Sequence, residues 1–349
     1  MSWASIDNII VGVINLLRVN MELKPGENLL VMTDIPRPID WESETPIKLE
    51  EMLERNMLAR LIAEVAQKNF PESKVHFLPF LAVGGHGVEL NRDVAARMLE
   101  ANVILAITNY SLSHTNARSS ATTAGVRVAS MPGFEAYMLE PDGPVAADAQ
   151  KIAADCKAFA VYLSRANDVR LVTEYGTDLT FSIQGRPGEV DDGLFASGPG
   201  KWGNLPTGEI YAVPVEGSGQ GKLVVPAGWY EHLLEEMTFC VEKGEVTQIL
   251  GGGPIGDWFR HMLNVESEEM LYKARRNLAE LGIGANPNAR RPENGLEAEK
   301  IKGTVHIAFG DNLYMGGQVE ADFHEDFVQP KPNLYLDGNP VILNGEWKI

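Results

Sequence analysis

Apolar positions recur at helical spacing from about residue 4 to 22, with Asp7, Asn8 and Arg18 among them, and predict an amphipathic helix. A short apolar run at Asn28–Thr33 (NLLVMT) then predicts a strand. The alternation repeats: a helix over about 49–69, strand Lys74–Pro79, a helix over about 91–100, strand Val103–Thr108, a polar segment over 109–124, and strand Val126–Ser130. Short apolar runs separated by longer amphipathic ones predict βαβ units, and so an α/β fold whose N-terminal domain is a doubly wound, mainly parallel sheet. A helix over about 145–167 closes or bridges this half.

After Asp168 the pattern changes. RLVTEYGTDLTFSI reads as two short strands around Gly176-Thr177, and MTFCVEKGEVTQIL as a hairpin turning at Lys243-Gly244. A helical block is expected over about 266–280, followed by strands in TVHIAFG, VEADFHEDF and NLYLDGNPVIL. The boundary falls near 168. It divides a Rossmann-like α/β domain, 1–168, from a C-terminal mixed α/β domain, 169–349. The Gly- and Pro-rich stretch at 184–206 reads as a long, functional loop. No Walker A or GxGxxG motif follows the early strands. GGHG at 84–87 lacks the rest of a dinucleotide signature, and GGGPIG at 251–256 reads as a turn with close backbone packing rather than a phosphate cradle.

Composition narrows the function classes. The chain has 349 residues, 44% hydrophobic and 22% charged, which suits a packed core. Its formal charge of −18 repels phosphate backbones and offers no basic patch to an anionic membrane, so neither nucleic acid nor membrane is expected as a partner. No run reaches the roughly 18–20 apolar residues of a membrane span. The N-terminus lacks a basic segment and a small-residue cleavage site, so a cytoplasmic location is expected. Cys156 and Cys240 form no CxxC pair and read as small core residues.

The candidate chemistry lies in Phe323-His324-Glu325-Asp326-Phe327. On a strand, residues i and i+2 share a face, so His324 and Asp326 point together and Glu325 opposite. An imidazole and a carboxylate on one face make a two-ligand edge for a divalent metal, though the same spacing also arises on plain surface strands. His306 sits in the apolar strand VHIAF, where a core histidine is the simpler reading. Glu280 is placed at the end of the helical block, where the helix dipole disfavours a carboxylate, which argues for a purpose. Glu209 follows Pro206-Thr207-Gly208 and opens an apolar strand. Together Glu209, Glu280, His306, His324 and Asp326 suit one or two divalent ions, which can activate water, or a single non-haem iron with open positions. His114, among Ser111, Ser113, Thr115, Asn116 and Arg118, follows a strand of the parallel sheet, where such sheets place ligands. A capping or surface role is the alternative.

These residues carry a resemblance. The order Asn204-Leu205-Pro206-Thr207-Gly208-Glu209, Glu280-Leu281-Gly282, His306-Ile307-Ala308-Phe309-Gly310, His324-Glu325-Asp326 resembles the thermophilic metalloaminopeptidases (aminopeptidases T and S), as does Gly176-Thr177-Asp178-Leu179-Thr180-Phe181. The likeness covers about 170–330 well and the N-terminal half more loosely. It implies a two-metal hydrolase using Zn, Co or Mn, a small-molecule or peptide substrate, and a homodimer. It also implies Glu209 or Glu280 as the base that takes a proton from the metal-bound water, with Asp311, Tyr314 and His114 near substrate. The chain departs from that pattern. The tyrosine seven residues beyond the strand histidine is replaced by Leu313, with Tyr314 one further on, and Gly208 replaces one of two adjacent glutamates. The chain also resembles the 2,5-dihydroxypyridine 5,6-dioxygenases. That resemblance implies a single Fe(II), a histidine where this chain has Glu280, the same His-x-Asp, and an acid/base histidine matched by His114. Glu209 and His306, which those dioxygenases lack, favour the aminopeptidase reading. The Fe(II) ring-cleaving dioxygenase is the alternative, and a non-enzymatic metal-dependent or small-molecule-binding protein is a third.

Overall fold

The computed structural model describes residues 6–349, so the first two residues of the expected N-terminal helix lie outside the described residues. The chain divides into two compact units, 1–150 with 193–207, and 151–192 with 208–349.

The first unit is built on a five-stranded sheet, all of whose pairings are parallel. Its order is Lys74–Leu81, Asn28–Ile35, Val103–Ala106, Arg127–Ser130, Trp202–Asn204. Val103–Ala106 and Arg127–Ser130 are buried at every position, the mark of strands covered on both faces. Two of this unit's longer helices begin at side-chain caps. Thr45 accepts from Lys48 N with Pro46 in the first turn of Pro46–Asn69, and Asn91 accepts from Val94 N at the start of Arg92–Leu99. Leu30, Met32, Ile104, Ala106 and Val128 pack against Val94, Met98 and Ala121 to form one core.

Two expectations change here. The polar segment 109–124 contains a helix, Asn116–Thr123, capped by Thr115, which accepts from Arg118 N. Its Ser- and Thr-rich sequence has weak helix propensity, and burial of Ala117, Arg118 and Ala121 overrides it. The stretch 184–206 is no open loop. It contains strands Glu189–Asp191 and Trp202–Asn204, and the second is the fifth strand of the parallel sheet. Three residues are too short to show a period.

The second unit opens within helix Ala149–Leu163, so the division falls at 150/151 rather than near 168. The reason is packing: Phe159 stacks edge-on to Trp347 at 4.8 Å, and Asp155 pairs with Lys302 at 2.8 Å. This unit has two antiparallel sheets, of eight and five strands. The five-stranded sheet runs His324–Gln329, Val305–Gly310, Leu278–Gly284, Glu209–Ala212, Glu189–Asp191. The helical block expected over 266–280 shrinks to Met270–Arg275, and Glu280 lies inside the buried strand Leu278–Gly284. A dipole argument at a helix end therefore does not apply to Glu280. Its buried run Leu-Ala-Glu-Leu-Gly suits a strand covered on both faces as well as a helix.

Candidate metal centre

Strand register explains how the site forms. Pairing sets Glu280 beside Ala308 and Ala308 beside Asp326, Gly282 beside His306 and Tyr211, Gly310 beside His324, and Gly284 beside Glu209. Paired residues and their i+2 neighbours share a face of a pleated sheet. Glu209, Glu280, His306, His324 and Asp326 therefore all stand on one face, brought together from four strands. Ile307, Phe309 and Phe327 take the other face. There Phe309 and Phe327 pack with Phe239 at 5.2 and 4.6 Å, and Phe259 lies 5.1 Å from Phe327. Glu325 points to this opposite face as expected, and its carboxylate accepts from Tyr230 at 3.0 Å. Small residues make room on the polar face: a Cβ added at Gly282 would lie 1.9 Å from His306 Nε2.

The geometry contains two ligand sets that share Glu280. Glu209, Glu280 and His306 form one, and Glu280, His324 and Asp326 the other, with candidate ligand atoms within 4.8 Å of one another in each. Glu299, outside the expected residues, joins His306 and Asp326 in a further set. His324 Nε2 lies 3.2 Å from Glu280 Oε2 and 3.9 Å from Asp326 Oδ1. Its Nδ1 is held 2.7 Å from the Asp311 carbonyl, which orients the ring with Nε2 toward the carboxylates. His306 is fully buried. Its Nε2 lies 2.8 Å from Glu209 Oε1, yet neither ring nitrogen, nor Asp326 Oδ1, has a partner in hydrogen-bond geometry. Buried polar atoms are normally satisfied. The orphaned Asp326 oxygen, beside Glu280 and His324, is what a divalent cation would satisfy, and two carboxylates with one imidazole fit such an ion.

Electrostatics point the same way. Burial opposes charge on His324, but hydrogen bonding to Glu280 and the Asp326 charge outweigh it and raise its pKa to about 10. Burial also opposes charge on His306, where Glu209 and Glu280 prevail and hold it well above the usual imidazole range. A divalent ion would displace such protons. Burial lifts Glu299 to about 8 and raises Asp326, with repulsion from Glu280 adding to the latter.

Lys300 is the residue that sequence reading missed. It is fully buried, its ammonium paired with Glu209 Oε2 and 3.3 Å from Glu299 Oε1. In sequence, Leu296-Glu297-Ala298-Glu299-Lys300 looks like a solvated charged turn. The available signal was two carboxylates and a lysine beside the apolar strand at 305. Of the other expected residues, Tyr314 places its ring 5.8 Å from that of His324. Asp311 lies at the end of the strand bearing His306, and burial raises its pKa. His114 belongs to the first unit, exposed between strand Val103–Ala106 and helix Asn116–Thr123, with its ring edge-on to Trp202 at 6.5 Å. GGHG ties loops together, Ser111 N donating to His86 Nδ1 at 3.1 Å. GGGPIG is the turn into helix Gly253–Leu263, as expected, with Gly252 at φ 78°.

The family model 2,5-dihydroxypyridine 5,6-dioxygenase (NicX) matches residues 22–348. The chain belongs to this family. A curated relative, 2,5-dihydroxypyridine 5,6-dioxygenase of Pseudomonas putida, is 25% identical over 198 residues, 53% of this chain and 55% of the relative. The chain thus spans about half the length of the curated relative it matches. The solved structure of 2,5-dihydroxypyridine dioxygenase from Pseudomonas putida shares the fold, with a TM-score of 0.70, 18% identity, and 99% and 98% coverage of the two chains. AmpT from Thermus thermophilus shares it at a TM-score of 0.61 and 15% identity, over 99% and 100% of the chains. Membership in the dioxygenase family revises the order of the two resemblances: the likeness to the aminopeptidases is one of fold. Among the described residues, no helix is long and apolar enough to cross a membrane.

Proposed function

We propose that this protein is a metal-dependent, ring-cleaving dioxygenase acting on a hydroxylated aromatic ring of the 2,5-dihydroxypyridine type, with one Fe(II) held by Glu280, His324 and Asp326. The match of the dioxygenase family model over residues 22–348 carries this reading. The cluster supports it, because two carboxylates and one histidine are the ligand types of non-haem iron sites with open positions. When bound, the ion would supply redox-active Lewis-acid chemistry.

The chain's own residues prepare that centre. Asp311 fixes the His324 ring through its carbonyl, so Nε2 faces the site. Gly282 leaves the space that the His306 ring fills, and Ala308 stands between Glu280 and Asp326 in the strand register. Phe309 and Phe327 back the same strands with a dry layer, which strengthens each electrostatic contact on the polar side. Tyr314, beside His324, is positioned to meet a ring or its oxygen substituent.

The second reading is hydrolysis by a two-metal site, and the observation favouring it is Glu209 and His306 on the same face as Glu280. It is weakened because Glu209 is already neutralised by Lys300. One experiment separates the two. Protein reconstituted anaerobically with Fe(II) should consume oxygen when given 2,5-dihydroxypyridine or related dihydroxy arenes. Protein loaded with Zn²⁺, Co²⁺ or Mn²⁺ should leave amino-acid p-nitroanilides intact. Folded, iron-loaded protein that takes up no oxygen while a Zn²⁺ or Co²⁺ form releases nitroaniline would replace the first reading with the second.

A further inference from the structure

We infer that Lys300 is a resident cation standing in for a second metal ion, so that the chain binds one divalent ion at Glu280, His324 and Asp326 and none at Glu209 and His306. This rests on the metal-dependent reading above and specifies it.

The two ligand sets sharing Glu280 have the layout of a site for two adjacent ions. One set is pre-empted. Lys300 has no exposed surface, and its ammonium contacts Glu209 Oε2 while Glu209 Oε1 lies 2.8 Å from His306 Nε2. A divalent ion between Glu209 Oε1 and His306 would face that ammonium across a single carboxylate, inside a buried cluster where like charges repel strongly. At the other set, His324 and Asp326 lie on the far strand from Glu209, and Lys300 pairs with neither.

The placement of Lys300 is built into the backbone. Asn286 N donates to the Lys300 carbonyl at 2.8 Å, and Lys302 N donates to the Asn286 carbonyl at 3.0 Å, which fastens the segment beside the site. Gly284 makes the approach possible. It pairs directly with Glu209 in the sheet, and a Cβ there would lie 2.1 Å from Ile301 O and 2.9 Å from Lys300 C. A glycine opposite the carboxylate thus admits the lysine segment over it. A buried lysine without such a partner would be costly, so its presence here is tied to Glu209.

The test is ion stoichiometry. The 349-residue chain, stripped with chelator, is titrated with Mn²⁺, Co²⁺ or Zn²⁺ alone, and bound ions are counted by elemental analysis and native mass spectrometry after desalting. The wild type should hold one ion per chain. Lys300→Met should hold two, and Lys300→Arg one. Should Lys300→Met fail to fold, Glu209→Gln combined with Lys300→Met, which removes both buried charges together, decides instead: it should retain one ion with an affinity within about threefold of wild type. Two ions in the wild type, one in a folded Lys300→Met, or a more than threefold loss of affinity in the combined variant would overturn the role of Lys300 alone. No ion in the wild type with any of the metals, Fe(II) included, would remove the metal-dependent reading itself, and this inference with it.

Discussion

His306 shows how much a single residue's meaning depends on its surroundings. In the apolar run VHIAF a core histidine is the simpler reading, and the ring is indeed fully buried. Yet it lacks a hydrogen-bond partner at either nitrogen and faces Glu209 and Glu280, which is not how a satisfied core histidine sits. In the proposed site, His324 is the residue on which most rests. His324→Ala should lower divalent-ion affinity by more than the roughly 10–100-fold that losing even an outer partner of a metal site costs. Titration calorimetry that finds wild-type affinity in the variant would remove His324 from the site. Gly282 is constrained by the same ring. Gly282→Ala forces a methyl group against His306 Nε2 and should cost about 1–3 kcal/mol by overpacking. A urea midpoint equal to that of wild type would show that the ring moves aside freely. The contrast with Lys300 is instructive. The local signal at that lysine is slight, because Glu299 beside it looks like part of a solvated turn and its other partner, Glu209, lies 91 positions away.

At the scale of elements, caps and pairing rather than composition set the boundaries. The helix Pro46–Asn69 is legible in sequence from about 49 onward, while its first turn is set by the Thr45 cap and Pro46. Thr45→Ala removes the acceptor for Lys48 N and should destabilise the protein by about 1 kcal/mol. Equal denaturant midpoints would show that the cap contributes nothing. The short helix Asp40–Ser43 offers a pH test. Asp40 is buried, and its hydrogen bonds with Arg37 hold its pKa below the ordinary carboxylate value. A carboxylate with a depressed pKa stabilises the fold above its unfolded pKa, and loses that contribution as the pH falls through the folded value. Asp40→Asn should therefore be less stable than wild type near pH 7, with the gap closing as the pH drops below about 4. A gap that stays constant from pH 7 to 3 would mean the charge plays no part. Helix Asn116–Thr123 and strand Trp202–Asn204 escaped sequence reading for opposite reasons. The first has the wrong propensities, and the second is too short for any period.

At the scale of the whole molecule, the metal is the variable that links site to stability. An ion that binds only the folded chain adds about 2.7 kcal/mol at a free concentration one hundred times its Kd. Chelation should accordingly lower the thermal midpoint of the wild type, and added Fe(II) or Mn²⁺ should restore it. His324→Ala should show neither change. A midpoint in the wild type that ignores both chelator and metal would argue that the cluster holds no ion.

The amino-acid sequence by itself determined the alternation that builds the parallel sheet, the hairpin at Lys243-Gly244, and the shared face of His324 and Asp326, because these follow from periods of two and 3.6 within one segment. It also carried the order of motifs that fits a metal-binding family. Only the tertiary structure decided the rest. It placed Glu280 in a strand, returned 202–204 to the first sheet, and set Lys300 against Glu209. The reason is physical. Antiparallel register aligns residues more than a hundred positions apart, and whether a carboxylate is free to ligate depends on which charge the fold buries beside it.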